Sequence, residues 1–317
     1  MNRPHLRCRV ALFLLLCLAP VLHAEQAAPR GTVSIAAYNI ENLFDVFDDP
    51  YTADEGTRVK PRKELETAAA LIRKLNADLI SFEEVENEQV LKAFVTELLG
   101  DMGYKYVAAA ASNDGRGIRT AIASRLPIRS ITSYRYLDLK IEGEDRTWKF
   151  ARDLMHVQLE ITSKRTLHVF VVHLKSMRDD GADKKSAKWR LAEAKMSRRI
   201  IDDVQAKEPG AWVVMMGDFN STEESAPIRE LLTEHPPEKD GKPGLPLIDL
   251  HSHIPREKDQ NISYLKAPYR SRIDYILASE PLAKRVVKDS AKIVNDAGEL
   301  LGGSDHAPVT AAFDVRE

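Results

Sequence analysis

Leu301–Phe313 reads LGGSDHAPVTAAF. A glycine-rich turn gives way to an alternating apolar run, the pattern of a strand with one buried face. Between them sits an ionisable pair, Asp305–His306. Groups at the end of a strand are held by a rigid frame, and binding and catalytic side chains commonly sit there. If these two face a site, its other members come from far earlier in the chain.

Other strand-like runs meet unusual polar residues in the same way. Thr32–Asn39 (TVSIAAYN) ends on Asn39, with Glu41 just beyond, and Asp78–Val85 (DLISFEEV) runs into Glu84. Thr166–Leu174 carries His173 at its end, Ala211–Met216 precedes Asp218 and Asn220, and Arg272–Ala278 contains Asp274. Shorter strand runs are expected at Tyr104–Ala109, Gly117–Ser124, Ile131–Leu137 and Asp153–Ile161. Leu65, Ala68, Ile72 and Leu75 recur at helical spacing after Pro61, and helices are also expected at Glu88–Leu99, about Ala182–Val204 and Ala226–Leu232. Strands joined both by helices and by tight turns predict mixed sheets with helices outside. Each polar residue has an ordinary reading alone: Glu84 as a helix cap, Asp218 and Asn220 as turn formers, His173 as a core histidine, Asp274 paired with Arg272 or Lys284. One shared site accounts for all of them together.

Composition narrows the setting. Residues 1–24 begin with Arg3, Arg7 and Arg9, continue through an apolar stretch from Val10 to Leu22 and end on Ala24, the three parts of an export signal. The stretch is short for a membrane span, which needs about 20 apolar residues. Leu16 before Cys17 is not the small residue of a lipoprotein signal. The reading is a secreted or periplasmic protein with a signal at 1–24 and one domain at 25–317. Both cysteines, Cys8 and Cys17, lie in the signal, which leaves the mature chain neither disulfide nor thiolate ligand. Removing the signal moves the formal net charge from −2 to −5 and leaves 293 of the 317 residues. That excludes a globally basic nucleic-acid coat, so any polyanion must be held by a local patch or a metal. His235–Pro246 is the most linker-like stretch and reads as a surface loop.

In order along the chain, YNIEN, EEVEN, HLKS, GDFN, RIDYIL and SDHAP resemble the endonuclease/exonuclease/phosphatase superfamily, from Ser34 to Val309. That group includes nucleases, sphingomyelinases and inositol polyphosphate phosphatases. The resemblance implies an α/β fold, a four-layer sandwich of two packed, mostly antiparallel β-sheets flanked by helices. It implies Glu84 as the main ligand of Mg²⁺ (or Mn²⁺), with Glu41, Asn39 and Asp305 near the ion or its waters. All-oxygen ligands suit a hard cation. His306 is implied as base or electrostatic partner at the attacking water, oriented by Asp274, with Asp218 as the alternative group that activates it. Asn220 and His173 would hydrogen-bond phosphoryl oxygens. Arg152, in FARDLM, matches a phosphate-contacting arginine. The chain departs from the pattern at Glu83, where glutamine is usual. Its extra charge is expected to point to solvent.

Minor signals remain. Lys184, Lys185, Lys188, Arg190, Lys195, Arg198 and Arg199 make the long helix basic, either as a solvated face or as a phosphate-backbone track. His251 and His253 have a spacing seen in zinc sites but no further ligands nearby. Asp48–Glu55 is an acidic loop expected to be solvated. The function these readings support is a Mg²⁺-dependent phosphodiesterase, a nuclease acting on DNA or also on RNA, monomeric and without stable membrane association. The alternatives are a phospholipid or sphingomyelin phosphodiesterase or a phosphomonoesterase, and an inactive binding protein. A lipid enzyme should expose an apolar stretch. None is evident outside the signal.

Overall fold

The computed structural model describes residues 31–179, 181, 183–234, 244–255 and 259–316. The signal at 1–24 and most of the His235–Pro246 loop lie outside them. In β1 (Thr32–Leu43), Val33, Ile35 and Ala37 face one way and Ala36, Tyr38 and Ile40 the other, and both sets are buried. A strand with two apolar faces must be covered on both sides. The first set enters a core shared with the second sheet. The other set packs in a separate cluster with α1 (Arg62–Leu75) and α2 (Glu88–Leu99).

The first sheet adds β2 (Leu79–Val85), β3 (Tyr106–Ala109), β4 (Arg119–Ser124), β11 (Lys292–Ile293) and β12 (Val309–Asp314), in the order β11-β12-β1-β2-β4-β3. The second contains β5 (Ile128–Ser133), β6 (Leu154–Thr162), β7 (Arg165–His173), β8 (Trp212–Asp218), β9 (Ile248–Asp249) and β10 (Asp274–Ala278), in the order β5-β6-β7-β8-β10-β9. Among the described residues only β1 with β2 and β7 with β8 pair in parallel; the other pairings are antiparallel. Helices α3 (Ala187–Lys207) and α4 (Ala226–Leu232) cover the second sheet through a third apolar cluster. The layers are helix, sheet, sheet, helix, the expected four-layer sandwich.

Local chemistry sets the helix ends. Pro61 stands at the N-cap of α1 with φ −62°, and Asn76 closes it in the left-handed region. The Asn87 side chain accepts from Val90 N (2.9 Å) to start α2. Two expected elements shift. The edge strand β5 ends at Ser133, and Leu137 N donates to Tyr134 O (3.0 Å) in a turn where strand was expected. Most of that edge is exposed, so burial imposes no alternation on it. The long helix starts at Ala187, because Lys185 and Ser186 take φ of 56° and 47°. The Asp183 carboxylate then accepts from Lys188 N and Trp189 N (both 3.0 Å).

Candidate active site

Period-two alternation carries the site into place. Residues facing the inter-sheet core are Ile35 and Ala37 on β1, Leu79 on β2, Val169 and Val171 on β7, Val214 and Met216 on β8, and Ile276 on β10. Two residues further along the same faces stand Asn39, His173, Asp218 and Asp274, and on β2 Ser81 and then Glu83. His173 is level with Asp218 on the neighbouring strand, and Asp218 with Asp274 on the next. Asn39 is level with Glu83 in the other sheet. At one end, the apolar core between the sheets becomes a polar one. Glu41, Asn42, Glu84 and Asn220 leave their strands with φ of 54°, 53°, 63° and 47°. Such left-handed turns are uncommon for non-glycine residues, and strain of this kind concentrates at functional sites.

Around the strand ends of the second sheet the groups are buried and hydrogen-bonded together, and His306, from the segment leading into β12, joins them. His306 Nδ1 donates to Asp274 Oδ2 (2.9 Å), and His306 Nε2 lies 3.9 Å from Asp218 Oδ2 and 3.7 Å from Asp305 Oδ1. Burial pushes the His306 pKa down, but Asp274, Asp218 and Asp305 outweigh it and raise it to about 10. Burial, followed by Asp274 and Glu84, raises Asp218 to about 7 against the pull of His306 and the Asn220 N–H. His173 Nε2 is 3.4 Å from Asp218 Oδ2. Burial, then Arg152, His306 and Arg116, hold the His173 pKa well below its ordinary value, so this ring is neutral. Asn220 N donates to Asp218 Oδ1 (2.7 Å), while its Nδ2 is directed at Leu174 O (3.0 Å) and Asp218 Oδ2 (3.3 Å). Both amide hydrogens are thus already directed at protein oxygens. In this arrangement Asn220 orients Asp218 and does not offer the free donor that the resemblance implied.

On the first sheet the groups are carboxylates near solvent. Glu41 Oε2 accepts from Asp305 N (3.0 Å), and Glu84 and Asp305 are half-buried. The Asp305 pKa is raised by burial and by Glu84, against the pull of His306 and Lys266. Asn39 joins the halves: Nδ2 donates to Asp218 Oδ2 (3.2 Å) and Oδ1 accepts from Glu41 N (3.0 Å). Glu41, Glu84 and Asp305 form an all-oxygen, partly open donor set, which fits a hard divalent ion that keeps several waters. Asp218, Asp274 and His306 also bring one ligand atom each within 4.8 Å of one another. Nδ1 of His306 is already committed to Asp274 there, and the trio is closed from solvent, so the outer carboxylates fit such an ion better.

Glu83 overturns an expectation. It is fully buried, not solvent-facing, because residues 79, 81 and 83 share the inter-sheet face. Ser81 Oγ donates to its Oε1 (3.1 Å), and Oε2 has no hydrogen-bond partner among the described residues. Burial, then Asp274 and Asp218, raise its pKa well above the ordinary carboxylate range. It approaches β8 so closely that a Cβ at Gly217 would lie 2.7 Å from its Oε1.

Other residues join that the motifs alone did not single out. Ser304 Oγ donates to Asn39 O (2.7 Å) and accepts from His306 N (3.0 Å), and the Tyr264 ring lies 5.0 Å from that of His306. Ser304 stands inside SDHAP and could have been found there; nothing local marks Tyr264. Arg152 is buried two residues before β6, with Nη1 donating to Leu174 O (3.0 Å) and Nε 3.2 Å from Asp114 Oδ2. Arg116 Nη1 donates to Asn42 Oδ1 (3.0 Å) beside it.

The basic helix divides. Lys184, Lys185, Lys188, Lys195 and Arg199 are exposed, whereas Arg190 and Arg198 are buried and donate to backbone carbonyls, so the seven do not form one face. His251 is buried with Nε2 3.0 Å from Thr310 O, and His253 is exposed. In the acidic loop Asp54 is buried, so that stretch is not wholly solvated. An exposed apolar stretch does exist: Val46, Phe47 and Tyr51, 75%, 77% and 93% exposed, stand in the segment that follows β1.

The sequence matches the Endonuclease/Exonuclease/phosphatase family over residues 34–302, and the chain belongs to that family. Enzymes of the family are phosphoric ester hydrolases and are generally divalent-metal dependent. No curated protein sequence matches the chain. Three solved structures resemble it in fold. ANGEL2, a 2',3'-cyclic phosphatase in complex with adenosine-2',3'-vanadate, is 17% identical over 89% of this chain and 95% of its own, with a TM-score of 0.61. The human Nocturnin catalytic domain with bound sulfate anion is 15% identical over 90% and 94%, with a TM-score of 0.60. D. rerio TDP2 complexed with single strand DNA product is 16% identical over 90% and 100%, with a TM-score of 0.55.

Proposed function

We propose that the protein is an exported, Mg²⁺- or Mn²⁺-dependent phosphodiesterase that hydrolyses nucleic acid, DNA foremost. One observation carries the chemistry: at one end of the sandwich, partly open carboxylates of the first sheet meet a buried group made of Asp218 and Asp274 from the second sheet and His306 from the segment leading into β12. Glu84, Glu41 and Asp305, with Asn39 beside them, would hold the cation. Such an ion would neutralise negative charge on a phosphoryl oxygen and on the leaving oxygen. Asp218 takes the proton of the attacking water, since its raised pKa makes it a competent base near neutrality. His306, protonated and tethered through Nδ1 to Asp274, turns Nε2 toward the phosphoryl group. Neutral His173 and the Arg152 guanidinium supply further donors on that side, where charge builds up in the transition state. Asn220 fixes the carboxylate of Asp218.

The substrate class draws support from the D. rerio TDP2 complex with a DNA product and from the nucleotide-derived ligand of ANGEL2. Exposed Val46, Phe47 and Tyr51 favour a second reading, a phospholipid or sphingomyelin phosphodiesterase that seats this tip in a lipid surface. Among the described residues no helix is long and apolar enough to cross a membrane. The deciding experiment offers purified protein with Mg²⁺ plasmid DNA, RNA, sphingomyelin vesicles and bis-p-nitrophenyl phosphate. Cleavage of DNA is the expected result. Turnover of sphingomyelin without cleavage of either nucleic acid replaces the first reading with the second.

A further inference from the structure

Helix α3 buries a carboxylate in an apolar layer. Glu193 is 1% exposed, in the same layer as Ala194, Ile200 and Ile201. A buried carboxylate is tolerated only when it is paired and hydrogen-bonded, so its partners indicate what it does. Its Oε1 accepts from Ala151 N (2.7 Å) and its Oε2 from Lys175 N (2.8 Å). Ala151 precedes Arg152, and Lys175 follows Leu174 at the end of β7. The Lys175 N–H belongs to the same peptide group as the Leu174 carbonyl. That carbonyl accepts from Arg152 Nη1 and Asn220 Nδ2, both at 3.0 Å. One peptide group is therefore gripped from its amide side by Glu193 and from its carbonyl side by two residues of the site.

The same helix supports this loop a second time. Arg190 Nη1 donates to Lys175 O (3.1 Å) and Ser176 O (3.2 Å), and its Nε donates to Ser221 Oγ (3.2 Å), one residue beyond Asn220. Burial raises the Glu193 pKa to about 7, while the two backbone amides, Arg152 and Arg190 pull it down. None of its hydrogen bonds reaches Glu41, Glu84 or Asp305.

We propose that Glu193 is a positioning residue for the phosphoryl-binding side: by fixing the Leu174–Lys175 peptide it sets the orientation of Arg152 and Asn220. The inference rests on reading the site as a phosphoester hydrolase. It assigns the buried part of α3 to the architecture of the site, not to the contact of a long substrate. A fixed donor array speeds the reaction because it needs no reorganisation as charge develops.

The test is Glu193→Gln, which is isosteric but turns an N–H toward one of the two backbone donors and so loses one of the two bonds. Expected are a fall of about tenfold or more in kcat on bis-p-nitrophenyl phosphate and a Mn²⁺ affinity within twofold of wild type. The affinity for inorganic phosphate should fall at least threefold by calorimetry. Combined with Arg152→Ala, the loss in kcat should be clearly less than the product of the two single losses, as for residues acting through one contact. A purely structural role predicts a lower melting temperature with kcat and phosphate affinity of the folded protein unchanged, and that result overturns the proposal. Fully multiplicative losses overturn it as well. Glu193→Asp, which keeps the charge but cannot span both amides, carries the same expectations if the glutamine variant does not fold. If the wild type hydrolyses no phosphoester, the proposed function fails, and the phosphate-binding comparison still decides the role of Glu193.

Discussion

Each sheet contains one parallel pair, β1 with β2 and β7 with β8, linked through a helix on the outer face, and each pair brings its polar residues to the same end. From there the two diverge. The first sheet's Glu41, Glu84 and Asp305 stay partly exposed, and two of them turn out on left-handed residues beyond the regular pairing. The second sheet's His173, Asp218 and Asp274 remain in register inside the ladder and are almost fully buried. Exposure decides which chemistry each end can support. Open carboxylates leave room for a hydrated cation. The closed carboxylate of Asp218 has its pKa pushed up to about 7 and becomes a group that exchanges protons near neutrality.

The largest effect should come from breaking the buried half. His306→Ala and Asp274→Asn are each expected to lower kcat on a small diester by about 10²- to 10⁴-fold, with an unchanged circular dichroism spectrum and Mn²⁺ affinity close to wild type. Near-normal turnover in either variant would remove the His–Asp pair from the mechanism. A large loss of Mn²⁺ affinity would instead show that the two halves are not separate.

The complementary change strikes the open half. Glu84→Gln should raise the Mg²⁺ concentration needed for half-maximal activity by about tenfold or more, the range found when a metal's supporting contacts are removed. Chelation should stop turnover while leaving the melting temperature nearly unchanged, because three apolar clusters hold the layers together without any ion. Reactivation by Zn²⁺ in preference to Mg²⁺ would contradict the all-oxygen reading.

Glu83 sharpens the comparison, since it belongs to the first sheet by chain and to the buried half by environment. Its pKa is raised in the folded state, so above its ordinary value of 4.5 the folded protein holds a proton that the unfolded chain has released. Stability therefore falls as pH rises from there toward the folded pKa. Glu83→Gln has no proton to release, so it removes that dependence and should gain in melting temperature over wild type as pH rises from 5 to 8. Parallel melting curves from pH 5 to 8 for the two proteins would mean that Glu83 is solvated after all.

The smallest effect is expected at the exposed start of the long helix. Replacing Lys184, Lys185 and Lys188 with glutamine removes at most three phosphate contacts, so the salt slope of DNA binding should change by no more than about 2.7 in log K per log salt unit. Turnover of bis-p-nitrophenyl phosphate should not change. An unaltered slope assigns these lysines to the solvated face of the protein.

Much of this could be read along the chain. Periodicity placed α1, α2 and α4 within a residue or two, and the six motifs named both the family and the residues that meet at the cleft, because a strand end fixes its neighbours whatever covers it. The direction of Glu83 was legible in principle, since residues 79, 81 and 83 share a face, but sequence does not say that a second sheet closes over that face. The same gap hid Glu193, Arg190 and Arg198, which look like ordinary charges on an amphipathic helix until the loops after β7 and before β6, and the end of α4, are folded against it. It also hid the exposure of Val46, Phe47 and Tyr51, three apolar residues in the segment after β1. Sequence determined which residue types recur at which spacing, and with that the elements and the chemistry on offer. Tertiary structure alone decided which charges lost their water, because desolvation depends on atoms contributed by segments distant in the chain.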